Sequence, residues 1–171
     1  MLEEGDKVPA ALLRASFDAI YPESDTPKPV SLGTLVPAGK TLVLFFYPKD
    51  STPGCTREAQ GFTASKKALE KAGGVVVGVS RDSTKSHCSF RDKYDLGIPL
   101  ISDPERKLHE GFGAWGEKTM YGKKILGTIR STFLVRDGKV VKTWSSVKVD
   151  GHVDAVIEEL KRALGARSKA K

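Results

Sequence analysis

Hydrophobic residues cluster unevenly along the chain, and their spacing divides it into segments. Residues 41–47, TLVLFFY, form the first strong apolar run. It is continuous rather than alternating, which predicts a strand covered on both faces and central in a sheet. After the breaker-rich PKDSTPG, residues 55–74 place Ala59, Phe62 and Leu69 at helical spacing, and Gly73 and Gly74 stop the pattern. VVVGVS at 75–80 reads as a second buried strand. The next segment, 83–94, predicts a helix with His87, Phe90 and Tyr94 on one face.

A short apolar piece, IPLIS, leads through Asp103 and Pro104, a helix-start signal, into a brief helix over ERKLHEGFGAW. Residues 116–127 are rich in Gly and Lys and predict an exposed loop. In STFLVRDGKVVKTW, Asp137-Gly138 separates two apolar alternating runs, a hairpin signal. Val153, Val156, Ile157, Leu160 and Leu164 then lie on one stripe of an amphipathic closing helix. Strand and helix alternate before a hairpin and a packed helix, which predicts an α/β domain with a mixed central sheet flanked by helices. The expected domain spans residues 1–165, with 166–171 as a loose basic tail. The pattern alone leaves thioredoxin-like and flavodoxin-like sheets both open.

Composition narrows the class. At 171 residues, with 39% hydrophobic and 29% charged positions, the chain suits one globular domain, and no apolar run reaches the ~18 residues of a membrane span. The start, MLEEGDKVPAALLRA, is acidic before it is apolar and does not read as a secretory signal, so a cytoplasmic setting is expected. The net charge of +7 is mostly terminal: Lys161, Arg162, Arg167, Lys169 and Lys171 contribute five of it with no acid between them. A basic end of this kind is read as solvated, not as a nucleic-acid-binding element.

Two cysteines, Cys55 and Cys88, are too few for a disulfide scaffold or, with three scattered histidines, for a structural zinc site. Any covalent chemistry therefore belongs to one or two thiols. In PKDSTPGC, Thr52 is placed to cap a helix, Pro53 sits at its first position, and Cys55 falls in its first turn. Orphan amides and the positive end of the helix dipole favour a thiolate there, and the thiolate is the nucleophile. No Cys-x-x-Cys exists, since Glu58 stands at that spacing, which argues against a disulfide oxidoreductase.

PKDSTPGCTRE resembles the peroxiredoxin active-site loop, in particular that of the bacterioferritin comigratory or peroxiredoxin Q branch. VVGVSRDSTKSH, PLISDPE and RSTFLVRDGKV resemble the same branch in order and spacing. The resemblance implies a thioredoxin-like fold and a thiol-dependent peroxidase that acts on hydrogen peroxide and organic hydroperoxides without metal or organic cofactor. It also implies thioredoxin or another small thiol as reductant, and a monomer.

Carried over by position, the resemblance makes Cys55 the peroxidatic thiol, Thr52 and Pro48 its loop partners, and Arg130 the fourth member, with backbone amides near Gly54 and Cys55 assisting. Thr52 would orient the peroxide, Pro48 would shield the sulfur, and Arg130 would stabilise charge passing to the departing oxygen. Glu58 either braces that arginine or is an ordinary exposed helix charge. His87, His109 and His152 read as helix-face or surface residues with no assigned role.

Oxidation of Cys55 gives a sulfenic acid that a thiol must reduce before it oxidises further. Many members of the branch carry the resolving cysteine five residues later, where this chain has Gln60. Another subset carries it on the next helix, at the position of Arg91, one turn from Cys88. Two cycles stay open: a Cys55–Cys88 disulfide, or direct reduction of Cys55 by an external thiol.

Overall fold

The computed structural model describes residues 1–169. Its elements in chain order are α1 (Ala10–Arg14), β1 (Phe17–Ile20), β2 (Lys28–Val30), α2 (Leu32–Leu35), β3 (Thr41–Phe46), α3 (Pro53–Ala64), α4 (Lys66–Lys71) and β4 (Gly74–Ser80). There follow α5 (Thr84–Tyr94), β5 (Leu100–Ser102), α6 (Lys107–Phe112), β6 (Trp115–Met120), β7 (Lys123–Thr128), β8 (Ser131–Arg136), β9 (Lys139–Trp144) and α7 (His152–Lys169). Seven strands form one mixed sheet in the order β2-β1-β5-β4-β3-β8-β9. Only β3, β4 and β5 run parallel to their neighbours in that group; the other pairings are antiparallel. Among the described residues no helix is long and apolar enough to cross a membrane.

The unbroken apolar run in β3 has a simple cause. Val43, Phe45 and Tyr47 enter the core under α3, α4, α5 and α7, whereas Leu42, Leu44 and Phe46 enter a second core under α1, α2 and α6. With every β3 side chain buried, the strand is apolar from Leu42 to Phe46, and its one polar residue, Thr41, is paired with the Arg136 guanidinium. The stripe on α7 packs as its spacing requires: Val156, Ile157 and Leu160 are buried, and Leu164 lies exposed near the end of the contact. Of the predicted tail, 166–169 fall within the bounds of α7, and 170–171 lie outside the described residues.

Three expectations need correction. Residues 116–127 are not a loop: β6 and β7 pair antiparallel as a separate two-stranded sheet. Tyr121 and Gly122, with φ of 52° and 75°, make the tight turn that joins them. Pro104 does not begin a helix. It sits in a turn, and α6 starts at Lys107, after Arg106 in a left-handed conformation, because the Asp103 carboxylate turns inward to accept from the His109 amide at 2.9 Å. The long helix after Cys55 is two helices, broken at Ser65. The Asp137-Gly138 turn, with φ of 51° and 76°, connects β8 to β9 as its sequence predicts. The first forty residues add β1 and β2, which pair with each other and extend the β5 side of the sheet.

Candidate active site

The parallel strand β3 delivers the chain to the loop 47–52, and a buried polar network fixes where that loop leaves the sheet. The Tyr47 hydroxyl donates to Asp50 Oδ1 at 2.6 Å, and the Ser86 hydroxyl donates to Asp50 Oδ2 at 2.8 Å. His87 Nδ1 lies 2.7 Å from the same oxygen, and the Asp50 amide donates to Asp82 Oδ2 at 2.8 Å. Ser51 then takes a left-handed φ of 64°, which reverses the chain into Thr52 and α3. Thr52 is the N-cap residue and Pro53 the first helical one, as expected. The capping contact differs from expectation: the Thr52 hydroxyl donates backward to the Lys49 carbonyl at 2.7 Å and makes no side-chain cap bond.

Cys55 is 1% exposed, and it sits at the floor of a cavity of about 480 Å³. Pro48, Thr52, Gly54, Cys55 and Arg130 all line this one cavity, so the sequence-predicted residues converge. Arg130, between β7 and β8, lies against Gly54 and donates from Nη2 to Cys55 Sγ at 3.3 Å. A Cβ on Gly54 would stand 3.3 Å from Nη2, which is tight for the approach of the guanidinium. Arg130 Nη1 donates to Glu58 Oε1 at 2.7 Å.

Glu58 is therefore the brace of Arg130 and not an exposed helix charge. It is fully buried, and its other oxygen, Oε2, has no hydrogen-bond partner among the described residues. Burial raises its carboxyl to about 7, against the opposing pull of Arg130. Burial, assisted by the same guanidinium, holds His152 down to about 4. His152 Nε2 is hydrogen-bonded with the Thr132 hydroxyl at 2.7 Å.

None of the three histidines is a surface residue. His87 belongs to the Asp50 network. His109 bridges Asp103, 2.7 Å from Nδ1, and Thr128, 3.0 Å from Nε2, which secures the end of β7 beside the site.

Cys88 is not in this cavity. Its thiol points toward the Asp25 carbonyl, 3.6 Å away, in a separate depression that includes Thr84 and Asp92. Arg91 is buried and tied down: it donates to the carbonyls of Tyr21 and Ser24 at 3.0 and 2.6 Å, and to the carboxylates of Asp25 and Asp92.

Sequence reasoning missed the roof of the cavity. Trp115, Lys118, Ile125 and Leu126 of the β6–β7 hairpin line it, joined by Arg81 from the β4–α5 connection. A legible signal existed in Gly122, but the Tyr-Gly pair is a weaker turn mark than Asn-Gly or Asp-Gly.

The arrangement keeps a sulfur against a permanent cation at a helix start, in a cavity open to a small molecule, which suits nucleophilic attack by sulfur. Comparison with known proteins agrees. Residues 5–143 match the AhpC/TSA family. A Xanthomonas campestris peroxiredoxin Bcp is 52% identical over 125 residues, covering 72% of this chain and 78% of that one. A Bacillus subtilis peroxiredoxin Bcp is 44% identical over 124 residues, covering 72% and 79%. A solved structure of Xanthomonas campestris bacterioferritin comigratory protein superposes with a TM-score of 0.82 at 42% identity, covering 92% of this chain and 99% of that one. It was determined as a trapped intermediate/ligand complex bearing on alkyl peroxide reduction.

Proposed function

The chain belongs to the AhpC/TSA family, and from that premise we propose that Cys55 is its peroxidatic thiol, with Arg130, Thr52 and Pro48 completing the reacting group. The protein is a thiol peroxidase: it reduces a peroxide at the expense of a thiol. The observation that carries the assignment of Cys55 is the 3.3 Å contact from Arg130 Nη2 to its sulfur inside the one cavity where all five loop and arginine positions meet.

The Cys55 thiolate attacks the distal oxygen of the hydroperoxide; an S–O bond forms as the O–O bond breaks, and an alkoxide or hydroxide leaves and takes up a proton. Sulfur is oxidised to the sulfenic acid and the peroxide is reduced to an alcohol or water. Arg130 shares the negative charge as it moves from sulfur to the departing oxygen, and Glu58 holds the guanidinium in place for this from behind. Gly54 lets the guanidinium approach, and Pro48 closes one wall. The second half of the cycle is assigned to an external thiol. It condenses with the sulfenic acid, releasing water and leaving a mixed disulfide, which a further thiol cleaves.

Two features favour that route over a Cys55–Cys88 bridge: Cys88 faces another depression, and α5 is fastened by Arg91 at the position where a subset of the branch carries its resolving cysteine. Thioredoxin is the proposed donor, acting in the cytoplasm on a monomer, by likeness to the branch.

The test is peroxide consumption with thioredoxin supplied, together with mass spectrometry of the protein after one equivalent of peroxide. Cys55→Ser should abolish turnover and Cys88→Ser should keep it, with oxygen or the attacking thiol found on Cys55. A peptide cross-linked through Cys55 and Cys88, formed at the rate of turnover, would overturn the external-thiol cycle while leaving the peroxidase intact.

A further inference from the structure

Hydrogen peroxide has about the bulk of two waters, roughly 60 Å³ at ~30 Å³ each, whereas the cavity over Cys55 holds about 480 Å³. The surplus space has a distinct character. Its roof is apolar: Trp115 and Ile125 line it, and Leu126 is 64% exposed. Its charged lining is of one sign, because Lys49, Arg81, Lys118 and Arg130 face it and no Asp or Glu does. Arg130 is engaged by Cys55 and Glu58, and the Arg81 guanidinium stacks on Trp115 at 4.8 Å from the ring centre.

Lys118 is the cation held most deliberately. It is half-buried, and its ammonium is folded back along the hairpin to donate to the Thr128 carbonyl at 3.1 Å. The residue across which it lies is Gly127; a Cβ there would come within 2.9 Å of Lys118 Cε and 3.4 Å of Nζ. Thr128 is in turn fixed by the buried Asp103–His109 pair. One ammonium hydrogen is used by that carbonyl, so donors are left for a ligand. Burial and the neighbouring Arg130 both disfavour the charge that Lys118 carries, and an anion in the cavity would relieve that.

We propose that the site selects organic hydroperoxides that carry a negatively charged group beside an apolar body, and that Lys118 is the specificity-determining residue that reads the charge. The apolar body rests under Leu126 and Ile125, the anionic group meets the Lys118 ammonium with Arg81 nearby, and the peroxide reaches Cys55. The inference rests on the peroxidase reading of Cys55.

The experiment compares kcat/KM for cumene hydroperoxide and for its 4-carboxylate derivative, two substrates alike except for the charge. Dithiothreitol serves as reductant, so that no charged partner protein takes part. The full-length protein should favour the carboxylate by about tenfold at low ionic strength, the scale of one part-buried charge pair, and the preference should shrink in 0.5 M salt. Lys118→Met should lower the ratio of the two rates by about tenfold, Lys118→Arg should restore most of it, and Gly127→Ala should lower it by displacing the ammonium while keeping the charge.

Turnover of the neutral substrate by the wild-type chain with no preference for the anion would overturn the inference and leave the peroxidase standing. No turnover of either substrate would overturn the peroxidase reading itself. Equal loss of both rates in Lys118→Met and Gly127→Ala would make Lys118 only a brace of the hairpin, and would overturn it as well.

Discussion

Removing the Arg130 guanidinium should cost stability in a way that depends on pH, and the buried Glu58 sets both the sign and the size. Glu58 titrates near 4.5 when unfolded and at about 7 in the fold. Between those values the folded chain holds a proton that the unfolded chain has lost, so stability falls as pH rises, by about 1.4 kcal/mol per unit. Above 7 the folded carboxyl ionises too, beside Arg130, and the decline stops. In Arg130→Met the group that favours the ionised form is gone, the folded carboxyl keeps its proton further up the scale, and the decline continues.

The gap between variant and parent should therefore be small at pH 6 and widen above 7, to at most about 2.7 kcal/mol by pH 9. The measurement is urea unfolding at pH 6, 7, 8 and 9, in a Cys55→Ser background so that no thiol shares the guanidinium. The same pair of proteins carrying Glu58→Gln should show a gap without slope. A cost that stays constant over this range, or an equal slope in the Glu58→Gln pair, would refute the claim that the arginine's structural task is to neutralise this carboxylate.

Two further expectations follow from buried groups elsewhere. His152, held at about 4 in the fold against 6.5 when unfolded, must stay neutral while the unfolded chain gains a proton, so stability is lost as pH falls from 6.5 toward 4. At pH 5 the loss from this residue is roughly 2 kcal/mol, and His152→Gln, which keeps an acceptor for Thr132, should remove that part of the acid sensitivity in unfolding midpoints compared at pH 7 and 5. Gly78 lies at the centre of β4, where a Cβ would come within 2.8 Å of Phe45 Cζ and 3.0 Å of Leu100 Cδ2. Gly78→Ala should destabilise the fold by about 1–3 kcal/mol through overpacking, seen as a lowered thermal midpoint; an unchanged midpoint would mean that these two side chains yield freely.

What the sequence made legible follows from how strongly each element commits its residues. The two-sided burial of β3, the stripe on α7 and the Asp137-Gly138 turn leave direct marks, because one wrong residue in them would strand a polar group or a bulky φ. Cys55, Thr52, Pro53 and Arg130 were readable because the helix start and the family motif restrict them together.

The β6–β7 hairpin was not readable. It stands apart from the seven-stranded sheet and β7 is exposed over most of its length, so its lysines and glycines carry no inside-outside alternation. Glu58 was undecidable for another reason: a carboxylate one turn after Cys55 looks the same in sequence whether it faces solvent or a guanidinium supplied by residue 130. The short strands β1 and β2, of four and three residues, fall below the length at which alternation can be told from chance.

The separateness of that hairpin has a consequence for how such a protein can diversify. Its ladder hydrogen bonds close within a pair of strands that is not part of the seven-stranded sheet, with Thr128 at its end tied to His109. Substitutions at 118, 125 or 126 therefore alter what the mouth of the enzyme accepts while leaving the two cores and the sulfur's supports untouched. Selectivity and foldability are inherited on different pieces of chain, and a lineage can revise the first without endangering the second.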